Sequence, residues 1–162
     1  MEDIHIVPIG VIYTPHEHIA GMPVQPAGAE GIAGKIVMDE AYADGLMDLD
    51  GFSHIILLYL FHKVEGYILQ PVPFMDTTPH GVFATRSPKR PNRLGISIVP
   101  LTAVESNIVH FTGADMLNAS PLIDIKPYFP KYDSPTGAVR AGWIDAVKGV
   151  DIQKIRSDHR FE

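Results

Sequence analysis

Apolar residues in this chain recur at the spacing of strands rather than helices. Ile4 and Ile6, then Val11 and Tyr13 beyond Pro8, predict an opening strand, and Lys35 to Met38 predicts a second, short one. Phe52 to His62 is a continuous apolar run bounded by Gly51 and Lys63, the pattern of a strand covered on both faces or lining a barrel. Gly81–Thr85, Ile96–Val104, Asn107–Gly113 and Ile123–Tyr128 continue the series, with Glu105 to Asn107 as a hairpin turn. Asp39 to Leu49 is suited to a turn or two of helix capped by Asp39. No amphipathic segment of about 10 to 15 residues separates these strands, which excludes βαβ units. The expected fold is therefore mainly β: one closed or nearly closed β-barrel domain over residues 1–147 with short helical segments, and a short C-terminal extension over 148–162.

Composition narrows the chemistry. A length of 162 residues suits one domain, and 14 Gly with 14 Pro argue against a helix bundle. The absence of Cys removes disulfides, thiolate metal sites and thiol nucleophiles. The N-terminus begins acidic rather than basic, and the longest apolar run, Ile55 to Phe61, is too short to span a bilayer as a helix, so a soluble cytoplasmic protein is expected. The eight His offer no metal site. His54 and His62 would be roughly 26 Å apart along a strand, and His16 with His18 lack an evident third ligand. Neither a nucleophile elbow nor a phosphate-binding Gly loop occurs.

Charge distribution says more than the net charge of -6. Arg86, Lys89, Arg90 and Arg93 fall within one stretch punctuated by Pro88 and Pro91, while five carboxylates cluster between Asp39 and Gly51. The prolines cannot continue a sheet ladder, so this is an ordered irregular loop able to aim guanidinium and N–H groups at an anion. The same Pro88–Pro91 spacing would also suit a ligand for an aromatic groove on a protein partner. A second dense segment runs from Asp115 to Asp133. Within it Asp124 and Lys126 fall on one face of a strand, as a surface pair or as an aimed acceptor and donor.

Residues 8–15, Pro23 to Pro26, 49–62, 81–97 and 115–133 together resemble the TsaA-like (TrmO-type) family, whose members are small β-barrel S-adenosylmethionine-dependent methyltransferases. The most specific motif is Ala84-Thr85-Arg86-Ser87-Pro88 followed by Arg90-Pro91-Asn92 and Gly95. The resemblance implies S-adenosyl-L-methionine as cofactor and N6-methylation of the threonylcarbamoyladenosine beside the tRNA anticodon. It places Pro23, Val24, Gln25, Phe61, His62, Arg86, Ile96, Asp124, Ile125, Lys126 and Pro127 around the cofactor, with Arg86 as a carboxylate partner. Asp124, or Tyr128 through its hydroxyl, is then the candidate catalytic base. Lys89, Arg90 and Arg93 are expected to meet RNA phosphates. The family further implies a homodimer in which the second subunit could complete the site; no metal is expected from the His spacing. This chain departs from the family pattern at Val24 (often Arg), Arg93 (commonly Pro) and Asn118-Ala119-Ser120 (usually Asp-Gly-Thr). The alternatives are a methyltransferase for another RNA or a small molecule, and a non-catalytic S-adenosylmethionine-binding sensor.

Overall fold

The structure, a computed structural model, describes residues 2–161. Six strands form it: β1 (Gly10–Tyr13), β2 (Ala33–Met38), β3 (His54–Leu60), β4 (Leu94–Glu105), β5 (Ile108–Thr112) and β6 (Ser120–Pro127). They close in the order β1-β2-β5-β4-β3-β6, every pair antiparallel, with β6 returning to β1. Short helical pieces lie between and after them, including α1 (Pro130–Asp133). Among the described residues no helix is long and apolar enough to cross a membrane.

Period-two alternation explains the core. In β3, Ile55, Leu57 and Tyr59 point inward and are buried, and from β4 and β5 Val99, Val109 and Phe111 meet them. The continuous apolar look of β3 arises because its other face carries Ile56, Leu58 and Leu60, which pair across the ladder with Ile98, Ile96 and Leu94. Asp39 caps the 3-10 segment Glu40–Leu46, its Oδ1 accepting the Ala41 N–H at 3.0 Å. The hairpin between β4 and β5 turns through Ser106, at φ 56, and Asn107. Asn107 ties that turn to β2 by donating Nδ2–H to the Met38 carbonyl at 2.9 Å.

Two expected strands are corrected. The opening strand begins at Gly10, and Ile4 and Ile6 lie before it, exposed. Pro8 has no N–H with which to extend the ladder toward them. Gly81–Thr85 is not a strand but a 3-10 turn over Val82–Ala84 that buries Val82 alone among its three residues. A run this short carries too little periodicity to separate strand from turn.

Gly34 on β2 makes room for the Phe111 ring across the pair Gly34↔Phe111: a Cβ there would stand 2.4 Å from Phe111 Cζ. Phe111 is 1% exposed and has nowhere to retreat. Gly34→Ala is therefore expected to cost about 1–3 kcal/mol by overpacking. Denaturant titration of Gly34→Ala, Phe111→Leu and the double variant checks this, with the double costing less than the sum of the singles because both changes act on one contact.

Candidate functional site

One end of the barrel opens into a cleft of about 700 Å³. It lies where β3 ends, β4 begins and β6 begins, and the long connection between β1 and β2 forms one wall. The size is that of a small-molecule site, and its lining is mostly apolar with a few polar groups. Pro23, Val24, Gln25, Phe61, His62, Arg86 and Ile96 all line it, so four separate stretches of sequence meet there. Arg86 donates from Nη1 to Gln25 Oε1 at 2.8 Å, tying the basic loop to the opposite wall. The His62 imidazole is held below its usual pKa by partial burial and by neighbouring Lys63.

The remaining expected residues stand elsewhere in the chain. Asp124 and Lys126 do share a face, the outer one, with Lys126 Nζ 2.7 Å from Asp124 Oδ2. They sit opposite Leu58 and Ile56 of β3, and Ile125 packs against the core. Pro127 pairs with Ile55, and the Tyr128 N–H reaches the His54 carbonyl at the far end of β3 from the cleft. The Tyr128 hydroxyl is 2.8 Å from Ser134 Oγ. Asp124 and Tyr128 thus do not reach the cleft within one chain. Of the basic residues, Arg90 lines the cleft, whereas Arg93 donates to the Val64 carbonyl at 2.7 Å and so braces the turn after β3. Lys89 fixes the same loop through its carbonyl, which accepts the Ile68 N–H.

Sequence reasoning missed several lining residues. Tyr59, Ser87 and Asp115 are in the walls or floor. The Ser97 hydroxyl donates to Asp115 Oδ1 at 2.7 Å and lies 3.1 Å from Tyr59 Oη. Burial pushes the Asp115 carboxyl up to about 7, outweighing the Ser97 hydrogen bond and the attraction of Arg86. Burial, with the Asp115 charge second, keeps the Tyr59 phenol protonated. Ser87 lines the cleft at 7% exposure, and its buried hydroxyl has no hydrogen-bond partner among the described residues. A buried hydroxyl left so is costly unless a ligand satisfies it. Among the described residues no group of three His, Asp or Glu is placed to hold a metal ion.

The segment after α1 folds back over this cleft. Trp143 stacks on His80 with ring centroids 4.4 Å apart and donates its indole N–H to the Ala84 carbonyl at 2.8 Å. Ile144 and Ser157 also line the cleft, and Arg156 bridges to Pro23.

A closed antiparallel barrel with a mostly apolar cleft at its mouth, a carboxyl in the floor and an arginine on the rim defines a small-ligand-binding β-barrel protein. The family described as tRNA-methyltransferase O N-terminal domain matches residues 11–134, and the chain belongs to this family, the TsaA-like, TrmO-type group. A protein of Pyrococcus abyssi named a probable S-adenosyl-L-methionine-binding protein is 42% identical over 155 residues, which are 95% of this chain and 83% of that one. The tRNA (adenine(37)-N6)-methyltransferase of Escherichia coli is 35% identical over 136 residues, 78% of this chain and 58% of that one. The crystal structure of TrmO from Pseudomonas aeruginosa superposes with TM-score 0.72 at 32% identity, covering 87% of this chain and 62% of that chain. Against these last two, the chain spans about three fifths of the relative's length.

Trp143→Ala removes a ring stack and a hydrogen bond, together about 1–2 kcal/mol of local stability. Limited proteolysis of the segment after α1 is expected to run about tenfold faster, with the barrel still protected, since cleavage tracks the open population.

Proposed function

We propose that this protein is an S-adenosyl-L-methionine-dependent methyltransferase that acts on N6 of adenosine 37 in tRNA, with the threonylcarbamoyl form of that base as substrate. The observation that carries the reading is the convergence on one cleft of Gln25, Phe61, His62, Arg86 and Ile96 beside the unsatisfied Ser87 hydroxyl. The relatives' names supply the reaction and the cofactor.

The residues present fit that cofactor. Its carboxylate suits the planar Arg86 guanidinium, whose Nη1 already binds an amide oxygen. Its heterocycle suits the apolar wall of Phe61, Val24 and Ile96. When bound, S-adenosyl-L-methionine supplies a methyl carbon on a positively charged sulfur. The protein's task is to hold the acceptor nitrogen in line with that carbon and to exclude water. In this reading Arg90, which lines the cleft and lies 3.5 Å from the Val82 carbonyl through Nη2, is the residue that would meet a phosphate of the anticodon loop.

Trp143 is the sole tryptophan and lines the cleft, so its emission reports occupancy directly. Wild-type protein is expected to bind S-adenosyl-L-methionine with a saturable change in Trp143 fluorescence, and Arg86→Ala to bind at least about tenfold more weakly, the loss of one charge-assisted hydrogen bond. Methyl transfer from labelled cofactor to tRNA carrying threonylcarbamoyladenosine, and not to unmodified tRNA, completes the test. No binding by the wild type defeats the reading, and binding without transfer to any RNA makes the protein a sensor of the cofactor.

The working unit in this reading is a homodimer. Ile96 and Ile98 are 47% and 43% exposed on the outer face of β4, beside Leu58 and Ile56 of β3, and the Asp124–Lys126 pair borders this stripe. A stripe flanked by one acid and one base is self-complementary across a two-fold axis. Ile96 belongs to both the stripe and the cleft wall, so a second copy seated there would border the ligand site. Light scattering is expected to give a dimer for wild type and a monomer for Ile98→Glu, while a wild-type monomer at working concentration rules this assembly out.

A further inference from the structure

The carboxyl of Asp115 has surroundings that neither neutralise it nor leave it in water. Gly113 turns the chain at φ 83 on leaving β5, and the Gly113 and Ala114 N–H groups both bond the Ile32 carbonyl. Two residues beyond Gly113, Asp115 lies in the floor of the cleft against inward-facing Ser97 of β4. Ser97 uses its one hydroxyl proton on Asp115, so Tyr59 of β3 is the donor to Ser97 Oγ. The third facing group, Arg86 of the basic loop, acts at a distance while its Nη1 is spent on Gln25. Uncharged donors hold the carboxylate in place, and no cation bonds it among the described residues. Its one open side is the cleft.

Three uses of such a group can be separated physically. A purely structural buried carboxylate needs a cation or several N–H donors to offset its desolvation, and among the described residues Asp115 has the Ser97 hydroxyl and one backbone N–H, its own. A counter-ion to a sulfonium would bind the ground state best, because that positive charge disappears as the methyl moves, and so would slow the reaction. A proton acceptor gains throughout the step. The acceptor nitrogen in the proposed substrate carries one hydrogen, and its lone pair is drawn into the purine ring and the carbamoyl group, which makes it a weak nucleophile until the proton departs.

We propose that Asp115 is the proton acceptor for methyl transfer, oriented by Ser97 and, through it, by Tyr59; this rests on the methyltransferase reading above. In the step, the N6 electron pair forms the new nitrogen–methyl bond, the methyl–sulfur bond breaks, and its electron pair remains on sulfur, leaving neutral S-adenosylhomocysteine. The N6 proton passes to the Asp115 carboxylate. The resulting acid releases it to water through the cleft once product has left.

The test uses the full chain with S-adenosyl-L-methionine and threonylcarbamoyl-modified tRNA. Asp115→Asn keeps the size and the Ser97 contact, and its kcat is expected to fall about 100-fold or more, the usual worth of general base catalysis. Its KM for tRNA and its cofactor affinity, read from Trp143 fluorescence, stay unchanged. Wild-type kcat rises with pH through a limb near neutrality, in line with a carboxyl pushed up to about 7, and this limb is lost in Asp115→Asn. Ser97→Ala removes the donor that lowers the carboxyl's pKa and moves the limb to higher pH. A readout independent of turnover is thermal melting of the ligand-free proteins. A carboxyl raised on folding favours the native state fully only below its unfolded pKa, and that stability is lost as pH rises toward about 7. Asp115→Asn should accordingly melt increasingly above wild type from about pH 4 to about pH 7, with the difference levelling off above that, a comparison that also shows the variant is folded. Unchanged kcat and pH profile in Asp115→Asn overturn the proposal, as does a loss confined to cofactor affinity, which would mark a counter-ion. Absence of turnover in wild type overturns the methyltransferase reading with it, whereas wild-type turnover that survives Asp115→Asn overturns the proton acceptor alone.

Discussion

The register of β3 on β4 decides where the apolar core stops and the site begins. Three inward rungs follow one another: Ile55↔Val99, Leu57↔Ser97 and Tyr59↔Gly95. The first is wholly apolar, the second introduces a hydroxyl, and the third trades a side chain for space. A Cβ on Gly95 would stand 2.5 Å from the Tyr59 ring and 3.0 Å from the Phe61 ring, so the glycine lets both aromatics lie across the mouth of the barrel. Phe61 packs edge-on to Tyr59 at 5.5 Å. A slip of one residue would turn Tyr59 and Ser97 to the outer face and leave the Asp115 carboxyl without its donor. Barrel closure forbids the slip, because both edges of each strand are already paired.

That constraint sets the electrostatics of the floor. Desolvation and charge pairing pull Asp115 in opposite directions, and desolvation wins because Arg86 is held on the rim rather than in contact. Had the arginine reached the carboxylate, the pair would have satisfied itself, and the cleft would hold neither a free cation for an acidic ligand group nor a carboxyl near neutrality. Gln25 prevents this collapse by accepting from Arg86 Nη1 across the cleft. The arrangement keeps opposite charges apart within one small cavity, which favours a ligand bearing both an anionic and a proton-donating end.

Much of the fold was legible because alternation is a local property. β3, β4 and β5 fall within a few residues of their expected ranges, and the same-face placement of Asp124 and Lys126 follows from a period of two. Periodicity says which residues share a face but not whether that face looks into the cleft, and these two look outward. For the site, the motif residues Arg86 and Ile96 both line the cleft, since they flank a loop whose geometry the prolines restrict. Asp115 was not legible. It sits in the connection between β5 and β6, and its character comes from Ser97 and Tyr59, which are 18 and 56 residues earlier in the chain. Nothing local distinguishes it from the surface aspartates. The available signal was indirect: Ser97 and Gly95 interrupt an otherwise apolar inward row in β4, which marks the depth at which the interior turns polar.

The folding-back of the chain after α1 gives the cleft a wall that the barrel alone would lack. Trp143 is held at two points, by the His80 ring and by the Ala84 carbonyl, and His80 is itself steadied by Asp76 at 2.8 Å. Ala84 leads directly into Thr85, Arg86 and Ser87, so the anchor of this segment and the groups proposed to hold the cofactor share one short stretch of backbone. Movement of one therefore shifts the other. The same segment also meets the opposite wall, where Arg156 bridges to Pro23 and the Ser157 N–H bonds the Met22 carbonyl, so it straps the two walls of the cleft together. A reaction between a bound small molecule and a large acceptor benefits from such enclosure, because water must be kept from the methyl donor before the acceptor arrives.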